Sequence, residues 1–254
     1  MLEGVGVLVL KRLDDALDHG DTIHGVIRGI GLSNDMRGNL LAPQRDGQVR
    51  AMQMAYRMAG WRPWDVDYIE CHGTGTRAGD TTEVESLIQL WHESPPDPGR
   101  CAIGSVKSMI GHLLTAAGAA GMIKTLLAMR HATLPPSIHF TAPPPDSPLD
   151  SSPFRVQTVA APWPVRHPKT PRRAAVSAFG FGGINAHVLL EAWPPEASSS
   201  ARVNDRPVIA GKSRPCTHDP SAAIVGLAVE VGSLTDRAAF EKAVFQGRSA
   251  ISPR

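Results

Sequence analysis

Residues 5–10, Val-Gly-Val-Leu-Val-Leu, form a continuous apolar run of strand length. Residues 11–19 fit a short helix stopped by Gly20. Residues 23–32 read as a second strand, and Gly25, Gly29 and Gly31 inside it imply close packing or bulges. In residues 46–59, Val49, Met52, Tyr56 and Ala59 fall at helical spacing, with Gly60 as a stop and Pro63 beyond. Residues 66–71 are strand-like and run directly into His72. Residues 80–91 are helical, with Asp80 as the cap, Glu83 placed for a capping box, and Val84, Leu87, Ile88 and Trp91 as the buried stripe. Residues 102–106 are the next strand.

Residues 116–129 form a helix whose first half is nearly all alanine and glycine. A glycine inside a helix costs up to about 1 kcal/mol relative to alanine. Gly118 and Gly121 therefore imply a neighbouring backbone pressed against a central, buried helix. Residues 132–174 hold eleven of the 22 prolines, the composition of a long ordered loop or wrap. Residues 174–179 and 186–191 read as two strands joined by a glycine loop. Residues 192–219, rich in Pro, Ser and Arg, have linker composition. Residues 222–228 begin a new strand and 237–246 fit a helix. The alternation of strands and helices indicates α/β architecture with a mixed or parallel sheet. Ligand sites in such sheets lie at strand-to-loop junctions, here Cys71/His72 and Val106/Lys107.

Composition narrows this picture. The 254 residues are enough for one large domain or two small ones. The net charge of +2, with acids and bases interspersed, implies neither nucleic acid nor an anionic membrane as partner. No apolar run is long enough to span a bilayer. Cys71, Cys101 and Cys216 form no CxxC pair, which points to a reducing, cytoplasmic setting. The histidines show no metal-ligand spacing, so no metal is expected.

Three segments carry candidate chemistry: His72-Gly73-Thr74-Gly75-Thr76; Gly104-Ser105-Val106-Lys107 leading to Gly111-His112; and Gly180-Phe181-Gly182-Gly183-Ile184-Asn185-Ala186-His187. Each alone is weak. His72 is equally a turn histidine, His112 a core histidine, Lys107 a solvated lysine, and the glycine loop a tight turn. Together they supply ring N–H donors, hydroxyls and backbone amides, the parts that handle a thioester carbonyl. No GK[ST] follows the glycine loop, so a phosphate cradle is not indicated. Cys71 abuts His72 but closes a strand, where alternate side chains face opposite ways, and it reads as a small core residue.

The three motifs in this order resemble the thiolase-like condensing enzymes, specifically the ketosynthase domains of modular polyketide synthases and related polyunsaturated fatty-acid synthases. The resemblance runs over residues 1–191, as the C-terminal part of such a domain, with 192–219 as linker. Residues 220–254, with Ala223-Ile224-Val225-Gly226-Leu227-Ala228 and Gly247-Arg248-Ser249-Ala250, resemble the opening of a second ketosynthase domain; the other reading is a strand and helix packing back on the first. The resemblance implies a thiolase-like layered α/β fold and decarboxylative Claisen condensation of acyl and malonyl-type thioesters. It implies His72 and His112 as catalytic histidines supported by Lys107, and Phe181 and Gly182 as gate and oxyanion loop. It also implies that Thr74 and Thr76 hold a phosphopantetheine arm. No cofactor is bound directly; the arm arrives on an acyl carrier protein. The other implied partners are further synthase domains and a second copy of the synthase, as a dimer. The family's cysteine lies in a segment like Thr-Ala-Cys-Ser-Ser, and none is present here. The fragment alone is therefore expected to be inactive and to expose apolar edges. Two alternatives stand: a non-catalytic condensing-like scaffold that binds carrier protein or a partner chain, and a thiolase-type acyl-CoA enzyme.

Overall fold

The computed structural model describes residues 3–35, 43–93, 100–145, 147–166, 168, 170–180, 182–193 and 221–251. In chain order the elements are β1 (Gly4–Arg12), α1 (Leu13–Asp18), β2 (Gly25–Asn34), α2 (Arg45–Ala59), β3 (Tyr68–Glu70), α3 (Arg77–Leu90), β4 (Cys101–Gly104) and α4 (Lys107–Ile110). They continue with α5 (Ala117–Arg130), β5 (Thr133–Leu134), β6 (Phe154–Val156), β7 (Ala161–Pro162), β8 (Arg173–Gly180), β9 (Ile184–Glu191), β10 (Ala222–Val231) and α6 (Arg237–Gln246).

Among the described residues, eight strands form one mixed sheet in the order β1-β10-β2-β9-β8-β3-β4-β6. The β3–β4, β3–β8 and β4–β6 pairs are parallel, and β2–β9 and β8–β9 are antiparallel. Side chains alternate across this sheet. Ile69, Ala175 and Leu189 join Met52, Tyr56, Leu87 and Trp91 beneath α2 and α3. Tyr68, Ala174, Val176 and Leu190 join Leu126 and Met129 of α5 on the other face. The sheet thus lies between two helical layers.

The glycines of β2 are explained by this layering. A Cβ on Gly31 would overlap the carbonyl oxygen of Ala51, and one on Gly29 that of Ala55, so the α2 backbone rests directly on β2. The β2–β9 register also slips between Ile27 and Gly29. Because backbone on both sides cannot yield, Gly31→Ala is expected to lower stability by at least about 3 kcal/mol, read as a fall in the urea midpoint at unchanged slope.

Helix α5 is buried, but not against backbone. A Cβ on Gly118 would meet the Ala178 Cβ at 3.4 Å, and one on Gly121 the Cγ of Glu70 at 3.0 Å. The small residues make room for side chains. Helix α3 begins at Arg77, earlier than the sequence pattern places it. Thr76 is its cap, accepting from the Gly79 N–H, and Asp80 sits within the first turn. The proline-rich stretch is not only a loop: β6 pairs with β4 in the main sheet, and Phe154 and Trp163 are buried. Strand β10 lies between β1 and β2. Helix α6 contributes Phe240 and Val244 to a cluster with Ile110, Ile123 and Leu127. The segment that resembles a second domain is, among the described residues, a strand and helix packed on the first. Most of the linker lies outside the described residues. The face of β1 turned away from α5 exposes Val5, Val7 and Val9.

Candidate active site

The site begins where β3 ends. The Cys71 N–H still donates to the Gly104 carbonyl (2.8 Å), and the chain then turns through Gly73 (φ 42°) and Gly75 (φ 75°). Both lie in the left-handed region that glycine adopts at little cost. The turn is held from α3. The buried Glu83 carboxylate accepts the N–H groups of His72 (2.7 Å) and Gly73 (2.8 Å), and Asp80 accepts that of Gly75 (3.2 Å). Glu83 is therefore not a helix cap but the anchor of the histidine loop. Burial pushes its carboxyl up to about 7, against the pull of those two N–H donors and the Lys107 cation.

The second arm begins where β4 ends. The Ser105 hydroxyl reaches the Gly73 carbonyl (3.4 Å), joining the two loops. The single turn α4 starts at Lys107 and closes at Gly111 (φ 67°, ψ −176°), a backbone state essentially reserved for glycine. This delivers His112. A 3₁₀ turn, Leu114–Ala116, separates it from α5, so His112 is not at that helix's N-terminus. Instead its Nδ1 accepts the Leu114 N–H (2.9 Å), and Leu114 holds a left-handed φ of 52° to make this bond.

The rings of His72 and His112 meet edge to face, their centroids 5.5 Å apart. The end of β8, just before the third segment, reaches the same place. The Phe179 N–H, at the end of β8, donates to His72 Nδ1 (3.3 Å), and the Phe179 ring centroid lies 5.7 Å from that of His72. A nitrogen that accepts from a backbone N–H carries no proton itself, so in each neutral ring the proton is assigned to Nε2. Both rings are held neutral. Burial first, then the Lys107 cation and the neighbouring His112, pulls His72 down to about 3. Burial and Lys107 lower His112. Burial lowers Lys107 as well, while the carboxylates of Glu70 and Glu83 act in the opposite direction. The result is two Nε2–H donors side by side, next to a lysine.

Thr74 and Thr76 follow His72, with their hydroxyls 3.0 Å apart. Thr76 Oγ1 also accepts the Gly79 N–H (3.3 Å). The pair uses one hydroxyl proton internally and leaves one to donate outward. Gly182 (φ 81°) and Gly183 (φ 76°) form the β8–β9 turn, and Phe181 lies outside the described residues. This turn is pinned by Asn185 of the same segment and by Asp35, which the sequence did not single out. The Asp35 N–H donates to Gly183 O (2.8 Å), and Asn185 Nδ2 donates to Asp35 Oδ1 (2.8 Å).

Cys71 is buried in the core beneath α2 and α3, and Cys101 joins it there; burial raises both thiols. Neither supplies a ready thiolate. Among the described residues no group of three or more His, Cys, Asp or Glu is placed to hold a metal, and no helix is long and apolar enough to cross a membrane.

Residues 24–141 match the family described as "Beta-ketoacyl synthase, C-terminal domain", and residues 143–218 match "Ketoacyl-synthetase C-terminal extension". A component of the phenolphthiocerol/phthiocerol polyketide synthase of Mycobacterium tuberculosis is 46% identical over 198 residues, which is 77% of this chain and 13% of that protein. A component of the polyunsaturated fatty acid synthase of a Thraustochytrium species is 39% identical over 255 residues, covering 97% of this chain and 9% of that protein. The chain thus spans about a tenth of the length of these relatives. Among solved structures, the ketosynthase from module 6 of the bacillaene synthase of Bacillus subtilis 168 superposes with a TM-score of 0.70 at 42% identity, covering 72% of this chain and 33% of that one.

Proposed function

The chain belongs to the β-ketoacyl synthase family, and from that premise we propose that its paired imidazoles hold the thioester oxygen of a malonyl-type extender while carbon dioxide leaves. The observation that carries this reading is the 5.5 Å His72–His112 pair with both Nδ1 atoms committed to backbone donors. As the carboxylate's C–C bond breaks, its electron pair passes into the thioester carbonyl and negative charge builds on oxygen. Two neutral N–H donors, fixed in advance and partly shielded from water, stabilise that charge without reorganising. The nearby Lys107 cation adds a favourable field. In a condensation the enolate carbon then attacks an acyl thioester and expels its thiolate; without an acyl group the enolate carbon takes a proton from water. The thiolate carrying that acyl group comes from outside the described residues, since Cys71 and Cys101 are core thiols.

The extender arrives on the phosphopantetheine arm of an acyl carrier protein, whose amides take the outward hydroxyl proton of the Thr74/Thr76 pair. The neighbouring β8–β9 turn, with Phe181 and Gly182, supplies backbone N–H groups to the oxyanion of the condensation step. The setting is cytoplasmic, within a multidomain synthase that pairs with a second copy.

The chain is tested with malonyl bound to acyl carrier protein, following release of carbon dioxide and acyl loading separately. Release without acyl loading is expected. Thr74→Ala with Thr76→Ala is expected to raise KM for the carrier-bound substrate several-fold with little change in kcat, because one hydrogen bond to the arm is worth about 1 kcal/mol. Robust acyl loading of the chain by itself overturns the assignment of its cysteines. A preference for malonyl-CoA over the carrier-bound form favours the acyl-CoA alternative.

A further inference from the structure

One ionised cluster in this molecule is wholly buried and takes no part in the chemistry above. Lys124 of α5 is fully buried, Glu70 is 2% exposed and Tyr68 is fully buried. Lys124 Nζ donates to Glu70 Oε2 (2.8 Å) and to the Tyr68 hydroxyl (2.9 Å), and that hydroxyl donates to Glu70 Oε2 (2.7 Å). The other carboxylate oxygen, Oε1, accepts the Val106 N–H at 2.6 Å. Glu70 is the last residue of β3, two before His72, and Val106 stands immediately before Lys107. One carboxylate therefore spans the starting points of both functional arms. Its cationic partner comes from α5, where the absence of a side chain at Gly121 leaves room for the Glu70 methylenes, and Tyr68 reaches it from β3 itself.

Burying an ion pair stabilises a fold little, and apolar residues of the same volume do as well or better. A purely structural explanation of this cluster is therefore weak. Its placement is specific: it ties the ends of two adjacent parallel strands to each other through a side chain, at the point where the two loops diverge.

We propose that Glu70, held by Lys124 and Tyr68, is a positioning residue for the active site, fixing the Lys107 arm against the His72 arm and keeping Lys107 in the field of a carboxylate. The inference rests on the reading of His72, Lys107 and His112 as the site, and it is tested without measuring catalysis. The charged and titratable groups coupled to Lys107 are Glu70, Glu83, Cys71 and Lys124, together with Asp80 of α3 and the His72 and His112 rings. Of these, Glu70 first, then Glu83 and Cys71, favour the protonated lysine, and Lys124 opposes it.

Two near-isosteric variants of the 254-residue chain separate the effects. Glu70→Gln removes the negative charge, and Lys124→Met removes the positive one while Glu70 keeps the Val106 and Tyr68 donors. The Lys107 ammonium is followed by nitrogen-detected NMR across the alkaline range. In Glu70→Gln its titration is expected to move to lower pH, and in Lys124→Met to higher pH. Lys124→Arg, which keeps the cation, is expected to stay near wild type. Movement of both single variants in the same direction, toward an exposed lysine, means the cluster only holds the fold together and overturns the proposal. So does no movement in either.

Should a single variant not fold, the double variant Glu70→Gln with Lys124→Met carries no buried charge and is measured by amide exchange. Its Val106 N–H is expected to exchange at least about tenfold faster than in wild type, because a bond to a carboxylate becomes a weaker bond to an amide oxygen. An unchanged Val106 exchange rate overturns the proposal. Failure of the chain to release carbon dioxide from malonyl thioesters leaves these readouts in place and bears only on the proposed activity.

Discussion

Replacing His112 with alanine is expected to lower the rate of malonyl-thioester decarboxylation about 100- to 1,000-fold at nearly constant KM. That range is the cost of removing one donor that meets charge only as it develops. His72→Ala is expected to do the same. Its ring also takes the Phe179 N–H, so that variant further loosens the link between the histidine loop and β8. If both Nε2–H groups serve one oxygen, as proposed, the loss in the double variant is expected to be far less than the product of the two single losses. His112→Asn, which keeps an N–H donor, is expected to recover part of the rate.

The pH profile distinguishes this role from proton transfer. His72 gains a proton only at about pH 3, and His112 is also held below its ordinary value. Both rings are already neutral from about pH 6.5 upward, so neither is expected to give the rate a limb from there to about pH 8, and a limb near 7 that persists in His112→Ala belongs to Glu83, which anchors the His72 loop. A rate that rises or falls through a single group titrating near neutrality, and loses that limb in His112→Ala, would show a proton-transferring imidazole instead.

Much of this site was legible in the chain because its parts are local. Glycine next to histidine, with a hydroxyl two residues on, marks a turn that exposes backbone and ring together, and His72 to Thr76 adopt it. Gly29 and Gly31 signalled close packing or a bulge, and both are there: the α2 backbone rests on them and the β2–β9 register slips beside Gly29. The same logic failed for Gly121, where the neighbour is a side chain from a strand 51 residues away. Sequence reasoning sees that space is needed but not what fills it. Glu83 was misread because a carboxylate six residues into α3 resembles a cap, while its true partners are N–H groups of a turn that folds back over the helix. The buried pair did leave a trace. Glu70 follows Tyr68-Ile69, and Lys124 lies among Met122, Ile123, Leu126 and Leu127. Two opposite charges, each inside an apolar element, must find a partner or remain exposed. Asp35 gave no such sign, since its contacts to the β8–β9 turn are set wholly by the β2–β9 register.

Acid is expected to unfold this chain through histidines that the fold keeps neutral, above all the two that burial pulls furthest down, and the slope of stability against pH reads how many. His187 is fully buried between Ser177, whose hydroxyl lies 3.1 Å from its Nδ1, and the Tyr56 ring, and burial pulls it down to about 3, as for His72. An unfolded histidine protonates near about 6.5. Between 6.5 and about 3 the unfolded chain therefore binds two more protons than the native one, and stability falls as pH falls. Glu83 has the opposite sign. Its native carboxyl titrates at about 7 against 4.5 unfolded, so it favours the fold below 4.5 and that contribution is lost as pH rises through 7. From pH 6.5 to 4.5 the three groups leave a net slope of about 1.4 kcal/mol per pH unit, steepening to about 2.7 below 4.5 once Glu83 is protonated in both states. Burial also holds His24 and His112 below their ordinary value, which adds to the same side, and raises the Asp80 carboxyl, which acts with Glu83. His187→Gln keeps a polar partner for Ser177 but cannot titrate, so it is expected to flatten the slope by about 1.4 kcal/mol per pH unit, whereas Glu83→Gln is expected to steepen it between 4.5 and 7. Urea unfolding at fixed pH from about 4 to 8 measures both. If His187→Gln leaves the slope unchanged, then His187 is protonated or solvated in the native protein, and the packing of Tyr56 and Ser177 around a neutral ring is wrong.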